Sequence, residues 1–264
     1  MKLANRPAMA ALLFAGLSVT ATPSLAVNDT CANREAILVG STDNVSIPAT
    51  SSRFYATRLQ AGRSYVMLAW TPFEDLSEGG GAVSLALFSD TTCTTLAPGD
   101  ISIESREPFS NIASADIDAI AVIPTTSGEF VLRVNNSEAR AVSHRIVIYE
   151  TSLYSPWWFT GGTNSAFIEM SNRSNLATSV TVTMNTPAGT VCGTTTTSIP
   201  ANGNTFVVVN DFPACVTAQS GSAQIAFLST PGTIQANTTT IDGVLGISFD
   251  APFVPRMAWS ILER

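Results

Sequence analysis

"TSVTVTMNTPAGTVCGTTTTSIP", Thr178 to Pro200, decides the fold. In an extended chain successive side chains point to opposite faces. Val180, Val182 and Met184 then share one face, and threonines fill the other. "TPAG" (186–189) has proline at the second position of a turn and glycine at the fourth. The pattern predicts strands with one buried face and one hydroxylated face in water. With "AFIEMSN" (166–172) it forms an edge-to-edge meander.

Outward from this stretch, the style repeats. "RFYATRLQAGRSYVMLAW" (53–70) reads as two strands joined at Gln60-Ala61-Gly62-Arg63, the second, Ser64 to Trp70, apolar almost throughout and therefore central. Further strands are expected at 82–90, 101–105, 117–124, 128–136 and 144–151, and then at 204–211, 222–229 and 232–242, before the closing "GISFDAPFVPRMAW". Gly, Pro and Asn turns recur about every ten residues, as in all-β sandwiches, and the helical period is nearly absent. A boundary near Glu150 to Ser155 divides the chain into residues 27–150 and 151–264, both of normal domain size.

The N-terminus reads as a signal peptide, residues 1–26. Lys2 and Arg6 form a basic start, Ala8 to Val19 an apolar run too short to span a bilayer, and Ser24-Leu25-Ala26 a cleavage site. Without Lys2 and Arg6 the chain keeps 11 basic residues, all arginine, against 20 acidic ones, a formal charge of −9. That balance argues against nucleic acid and anionic membranes as partners. No later apolar run is long enough for an integral membrane protein.

Cys31, Cys93, Cys192 and Cys215 are an even set in an exported chain, which reads as disulfides. Of three connectivities, Cys31–Cys93 and Cys192–Cys215 keep each bridge within one domain. Neither spacing is a metal signature, and zinc would lack histidine partners.

Catalytic chemistry finds little support. His144 is the only histidine and is expected at the surface. No nucleophile elbow, zincin motif, P-loop or dinucleotide fingerprint occurs, so no cofactor is expected. Glu74, Asp75, Glu78, Asp116, Asp118 and Asp250 could serve glycoside chemistry, and the 74–78 loop or Asp116/Asp118 a calcium ion, but solvated loop charges are the plainer reading.

"SPWWF" (155–159) places two of four tryptophans side by side. If extended, Trp157 and Phe159 face one way and Trp158 the other. One indole is core; the other packs between domains, docks a partner or stacks on a sugar, with Asn164, Glu169 and Asn172 as polar neighbours. Trp259 belongs to last-strand core or a lid over the same region.

"YATRLQAGRSYVMLAW…VSLALFSD…GEFVLRVNN…HRIVIYE" resembles the bacterial pre-peptidase C-terminal domain, over roughly 28–150. The resemblance implies a jelly-roll-like β-sandwich, usually non-catalytic and implicated in targeting or substrate contact. "SPWWFTGGTNSAFIEMSNRSN…VTVTMNTPAGT…SIPANGNTFVVV" is similar to the immunoglobulin-like repeats of bacterial surface proteins, which carry no known active site. The expectation is an all-β protein of two tandem sandwiches, non-catalytic, periplasmic or extracellular, binding or assembling with an envelope protein or a glycan. A carbohydrate-binding module using Trp157 or Trp158 is the first alternative, a glycoside-active enzyme the second.

Overall fold

The structure, a computed structural model, describes residues 28–70, 83–98, 101–102 and 117–256. The expected signal peptide, the 74–78 loop, Asp116 and Trp259 lie outside these residues. The first half contains β1 (Glu35–Ala36), β2 (Thr42–Ile47), β3 (Ser51–Leu59), β4 (Tyr65–Trp70), β5 (Val83–Phe88), β6 (Ile101–Ser102), β7 (Ile117–Val122), β8 (Gly128–Asn136) and β9 (Val142–Glu150). The second half contains β10 (Leu153–Phe159), β11 (Asn164–Asn172), β12 (Thr178–Asn185), β13 (Val191–Ile199), β14 (Asn204–Val208), β15 (Ser220–Phe227), β16 (Ile234–Asp242), β17 (Ile247–Pro252) and β18 (Val254–Pro255). One short helix, α1 (Pro213–Ala218), interrupts it.

Four sheets result. Strands before residue 151 make the sheets β1-β3-β8-β5 and β2-β9-β4-β7-β6; strands after 152 make β13-β12-β15-β10-β18 and β14-β11-β16-β17. Each pair of sheets contributes to its own apolar cluster. Tyr55, Leu59, Leu87 and Leu132 meet Ile47, Met67, Ile146 and Ile148 in the first. Val180, Val182, Met184, Ile225 and Phe227 meet Ala166, Ile168 and Met170 in the second. The alternation read at 178–185 is observed, with Val180, Val182 and Met184 fully buried. The turn at 186–189 closes as expected, with Gly189 N–H donating to Thr186 O at 2.9 Å and Gly189 at φ 81°.

The same corner is built twice. Ser46-Ile47-Pro48-Ala49 leads from β2 into β3, and Ser198-Ile199-Pro200-Ala201 leads from β13 into β14. Each passage carries the chain from one sheet to the facing one. In the first, the buried Asn136 amide donates to the carbonyls of Ile47, Pro48 and Arg140, and its oxygen accepts from Glu138 N–H. In the second, Asn172 donates to Ile199, Pro200 and Leu176, and accepts from Ser174 N–H. Thr50 and Asn202 both adopt positive φ, 47° and 51°, and donate to Glu138 O and Ser174 O. Only the chain order differs: the Ile-Pro passage precedes its asparagine in the first half and follows it in the second. Three carbonyls converge at each corner, one of them buried, and the two N–H groups of one primary amide serve them.

Both disulfides form with the expected pairing. Cys31–Cys93 closes 62 residues, and Cys192–Cys215 ties edge strand β13 to α1 across 23. Two disulfides suit an oxidising, exported environment. α1 was not anticipated: at six residues it is too short to show a period, though Pro213 opens it and Gln219, left-handed at φ 63°, closes it. His144 is also corrected. It is buried, 1% exposed, because β9 lies between β2 and β4 and turns residues 142, 144, 146 and 148 inward.

The halves meet through the turn at 60–64. Thr151 and Ser152 are buried and hydrogen-bonded to Ser64. Arg63 pairs with Glu150 at 3.3 Å and lies over the Tyr154 ring; Tyr154 donates to Glu150, and Gln224 to Gly62 O. Burial, followed by the neighbouring Glu150, pushes the Tyr154 phenol upward. Leu228 packs against Val66, Leu68 and Val147 on the outer face of the first half.

Candidate functional site

The aromatic pair at 157–158 splits as strand alternation requires. Trp158 is fully buried, and its indole N–H donates to Ser222 O at 2.9 Å. A Cβ at Gly221 would stand 2.6 Å from that indole and collide with Asn185 O, so glycine makes the space. Trp157 and Phe159 are half-buried on the other face, rings nearly parallel with centroids 6.3 Å apart. A register shift between Ser155 and Trp158 turns Trp158 inward with Leu153 and Ser155, which strict alternation would have forbidden. The observed fastening between the halves uses Arg63, Glu150, Tyr154, Gln224 and Leu228.

Of the polar residues expected around the tryptophans, Asn164 sits in the turn that follows Phe159, and Glu169 and Asn172 stand on β11 in another sheet. Asn164 donates to Gly161 O at 2.7 Å and closes the β10–β11 turn. Asn172 is spent on its corner. Glu169 is exposed on the outer face of β11, in a different sheet from Trp157. Trp259 lies outside the described residues. Asp118 accepts the Leu85 N–H and so links the two sheets of the first half. Asp250 accepts from the Thr239 hydroxyl at 2.8 Å. Among the described residues no group of three metal-ligating side chains occurs.

Around Glu169 the structure assembles a surface that sequence reading did not find. β11 is flanked by β14 and β16, and residues opposite one another form rows across the outer face. Phe206, Glu169 and Asn237 make one row; Asn204, Ser171 and Gln235 the next. Rows lie about 7 Å apart along the strands and neighbouring strands about 4.8 Å apart. These residues line a groove of about 670 Å³. A second groove of about 510 Å³ shares Ser171, Asn204 and Gln235 and runs on past Arg173 to Asn202. Phe206 is 63% exposed, held edge-to-face by Phe167 at 6.4 Å. Glu169 and Arg173 are the ionisable residues of the trough, one of each sign. Neither forms a salt bridge among the described residues.

One sequence signal pointed here. Ser-Ile-Pro-Ala occurs twice, and a phenylalanine follows each serine by eight positions: Phe54 after Ser46, Phe206 after Ser198. Phe54 faces outward on β3 as Phe206 does on β14. β3, however, is an interior strand, flanked by β1, and Asn28 exchanges backbone and side-chain hydrogen bonds with Phe54. β14 is an edge strand among the described residues, and none of the described strands flanks Phe206 on that side.

No protein-family model matches the chain, and no curated protein sequence matches it.

Proposed function

We propose that this chain is a non-catalytic exported binding or assembly protein of the bacterial envelope or extracellular space, built as two β-sandwich domains in tandem, jelly-roll-like and then immunoglobulin-like. Its binding face is the trough on the outer side of β14, β11 and β16. One observation carries this reading: Phe206 is bare at a site where the same corner in the first half keeps Phe54 half-buried. A large exposed aromatic beside convergent polar groups is the usual composition of a recognition surface. The trough supports binding rather than hydrolysis, because among the described residues Glu169 is its single lining carboxylate and glycoside cleavage ordinarily uses two. The export part rests on the two disulfides. No helix among the described residues is long and apolar enough to cross a membrane.

The test is capture of envelope components on the immobilised mature chain, compared between wild type, Phe206→Ala and Trp157→Ala. Loss with Phe206→Ala and retention with Trp157→Ala is expected. The opposite pattern would move the binding face to the outer side of β10, where the aromatic strip of Trp157 and Phe159 lies.

A further inference from the structure

We infer that the trough takes a neutral polysaccharide chain, an inference that rests on reading this face as the binding face. Four features of the site point to that chemistry.

The first is Phe206. Its ring stands free and is braced edge-on by Phe167. An aromatic face is electron-rich, and the C–H face of a sugar ring is its natural complement. The second is the set of primary amides at Asn204, Gln235 and Asn237. Asn204 and Gln235 each offer two donors and a carbonyl acceptor, and Asn237, which gives one N–H to the Thr239 hydroxyl, keeps one donor and its carbonyl; all three therefore match hydroxyls, which both donate and accept. The third is charge. The trough carries one carboxylate and one guanidinium in a chain of net charge −7. An anionic polymer would need a basic cluster, which the lining lacks, and a cationic one an acidic cluster, which it also lacks. Charge complementarity therefore selects an uncharged ligand. The fourth is shape. Two grooves joined at Ser171, Asn204 and Gln235 make an elongated surface. That outline fits a repeating chain lying across several rows better than a compact ligand, which prefers an enclosed pocket.

The chain is bound intact, since a single lining carboxylate cannot supply both an acid and its partner. A sugar ring sits on Phe206, and the following units cross the amides toward Arg173.

The experiment is affinity electrophoresis of the mature chain in native gels containing hydroxyethyl cellulose, soluble starch or glycol chitin, with polygalacturonate as the anionic control. Retardation by at least one neutral polymer is expected, with weaker or no retardation by polygalacturonate. Phe206→Ala should weaken the retardation by about tenfold or more, a loss of about 1.4 kcal/mol. Gln235→Ala should weaken it less, and both variants should keep the wild-type circular dichroism and melting temperature. Retardation by polygalacturonate alone, or by no polymer, overturns the ligand class. If envelope capture nonetheless depends on Phe206, the face stands and its ligand is a protein. Retardation that survives Phe206→Ala unchanged overturns the site as well.

Discussion

Phe54 and Phe206 occupy equivalent places in equivalent corners, and their surroundings differ. Both follow a Ser-Ile-Pro-Ala passage, both face outward, and both stand on a strand pinned by a buried asparagine, Asn136 or Asn172. Beside Phe54 lie β1, the Asn28 backbone and, opposite on β8, Arg133, whose guanidinium lies 5.5 Å over the Phe88 ring. Beside Phe206 none of the described strands pairs, and the opposite residue is the exposed Glu169. The corner therefore does not require a bare aromatic. One copy is absorbed into architecture, and the other is left for recognition. The repeat also separates scaffold from site: what the corners share holds the sheets together, and what they do not share is the candidate for function.

The largest contrast should come from the disulfides that brace the two halves. Replacing Cys31 and Cys93 together by serine releases a 62-residue loop, and replacing Cys192 and Cys215 a 23-residue loop. The chain-entropy relation gives about 4 and about 3.5 kcal/mol respectively. Urea unfolding of the two double variants should order them that way. The reverse order would mean that the short bridge, through α1, braces more than its loop length implies.

The corners themselves should be energetically alike. Asn136→Ala or Asn172→Ala removes the amide donor shared by three carbonyls, one of them buried, so each variant should lose about 2 to 3 kcal/mol in urea titrations. A difference between them above about 1.5 kcal/mol would break the equivalence.

The smallest effect is in acid. Asp90 lies well below the ordinary carboxylate range, chiefly through the Thr92 hydroxyl, and Asp242 is lowered chiefly by the Leu245 N–H. A folded pKa below the unfolded one means that the unfolded chain takes up the proton first. This stability is therefore complete above about pH 4 and is lost as pH falls through the folded value. Carboxyl titrations followed by NMR should place Asp90 below Asp242. Thr92→Val should raise Asp90 toward the ordinary range and leave Asp242 unmoved.

Much of the architecture was legible locally. The alternation at 178–185, the turn at 186–189 and the even cysteine count each depend on a few neighbouring residues, and each reads through to the observed strands and bridges. The opposed faces of Trp157 and Trp158 were equally local. Which of them enters the core was not, because the register shift after Ser155 depends on the pairing partner β15. Asn172 looked like a polar neighbour for a ligand. Its actual task appears only when carbonyls 27 and 28 residues away converge on it. The trough was illegible for the same reason: its rows join strands separated by 30 to 70 residues, and exposure at Phe206 depends on which strands pair with β14, among the described residues only β11. The duplicated Ser-Ile-Pro-Ala with its trailing phenylalanine was the one available clue.

If the corners divide as proposed, the bare one binds and the covered one does not. Backbone amide shift mapping of the ¹⁵N-labelled mature chain, titrated with oligosaccharides of whichever polymer retards it, tests this most directly. Shifts should concentrate on Glu169, Ser171, Asn204, Phe206, Gln235 and Asn237, with Phe54 and its neighbours still. Shifts centred on Trp157 and Phe159, with the trough unmoved, would contradict it.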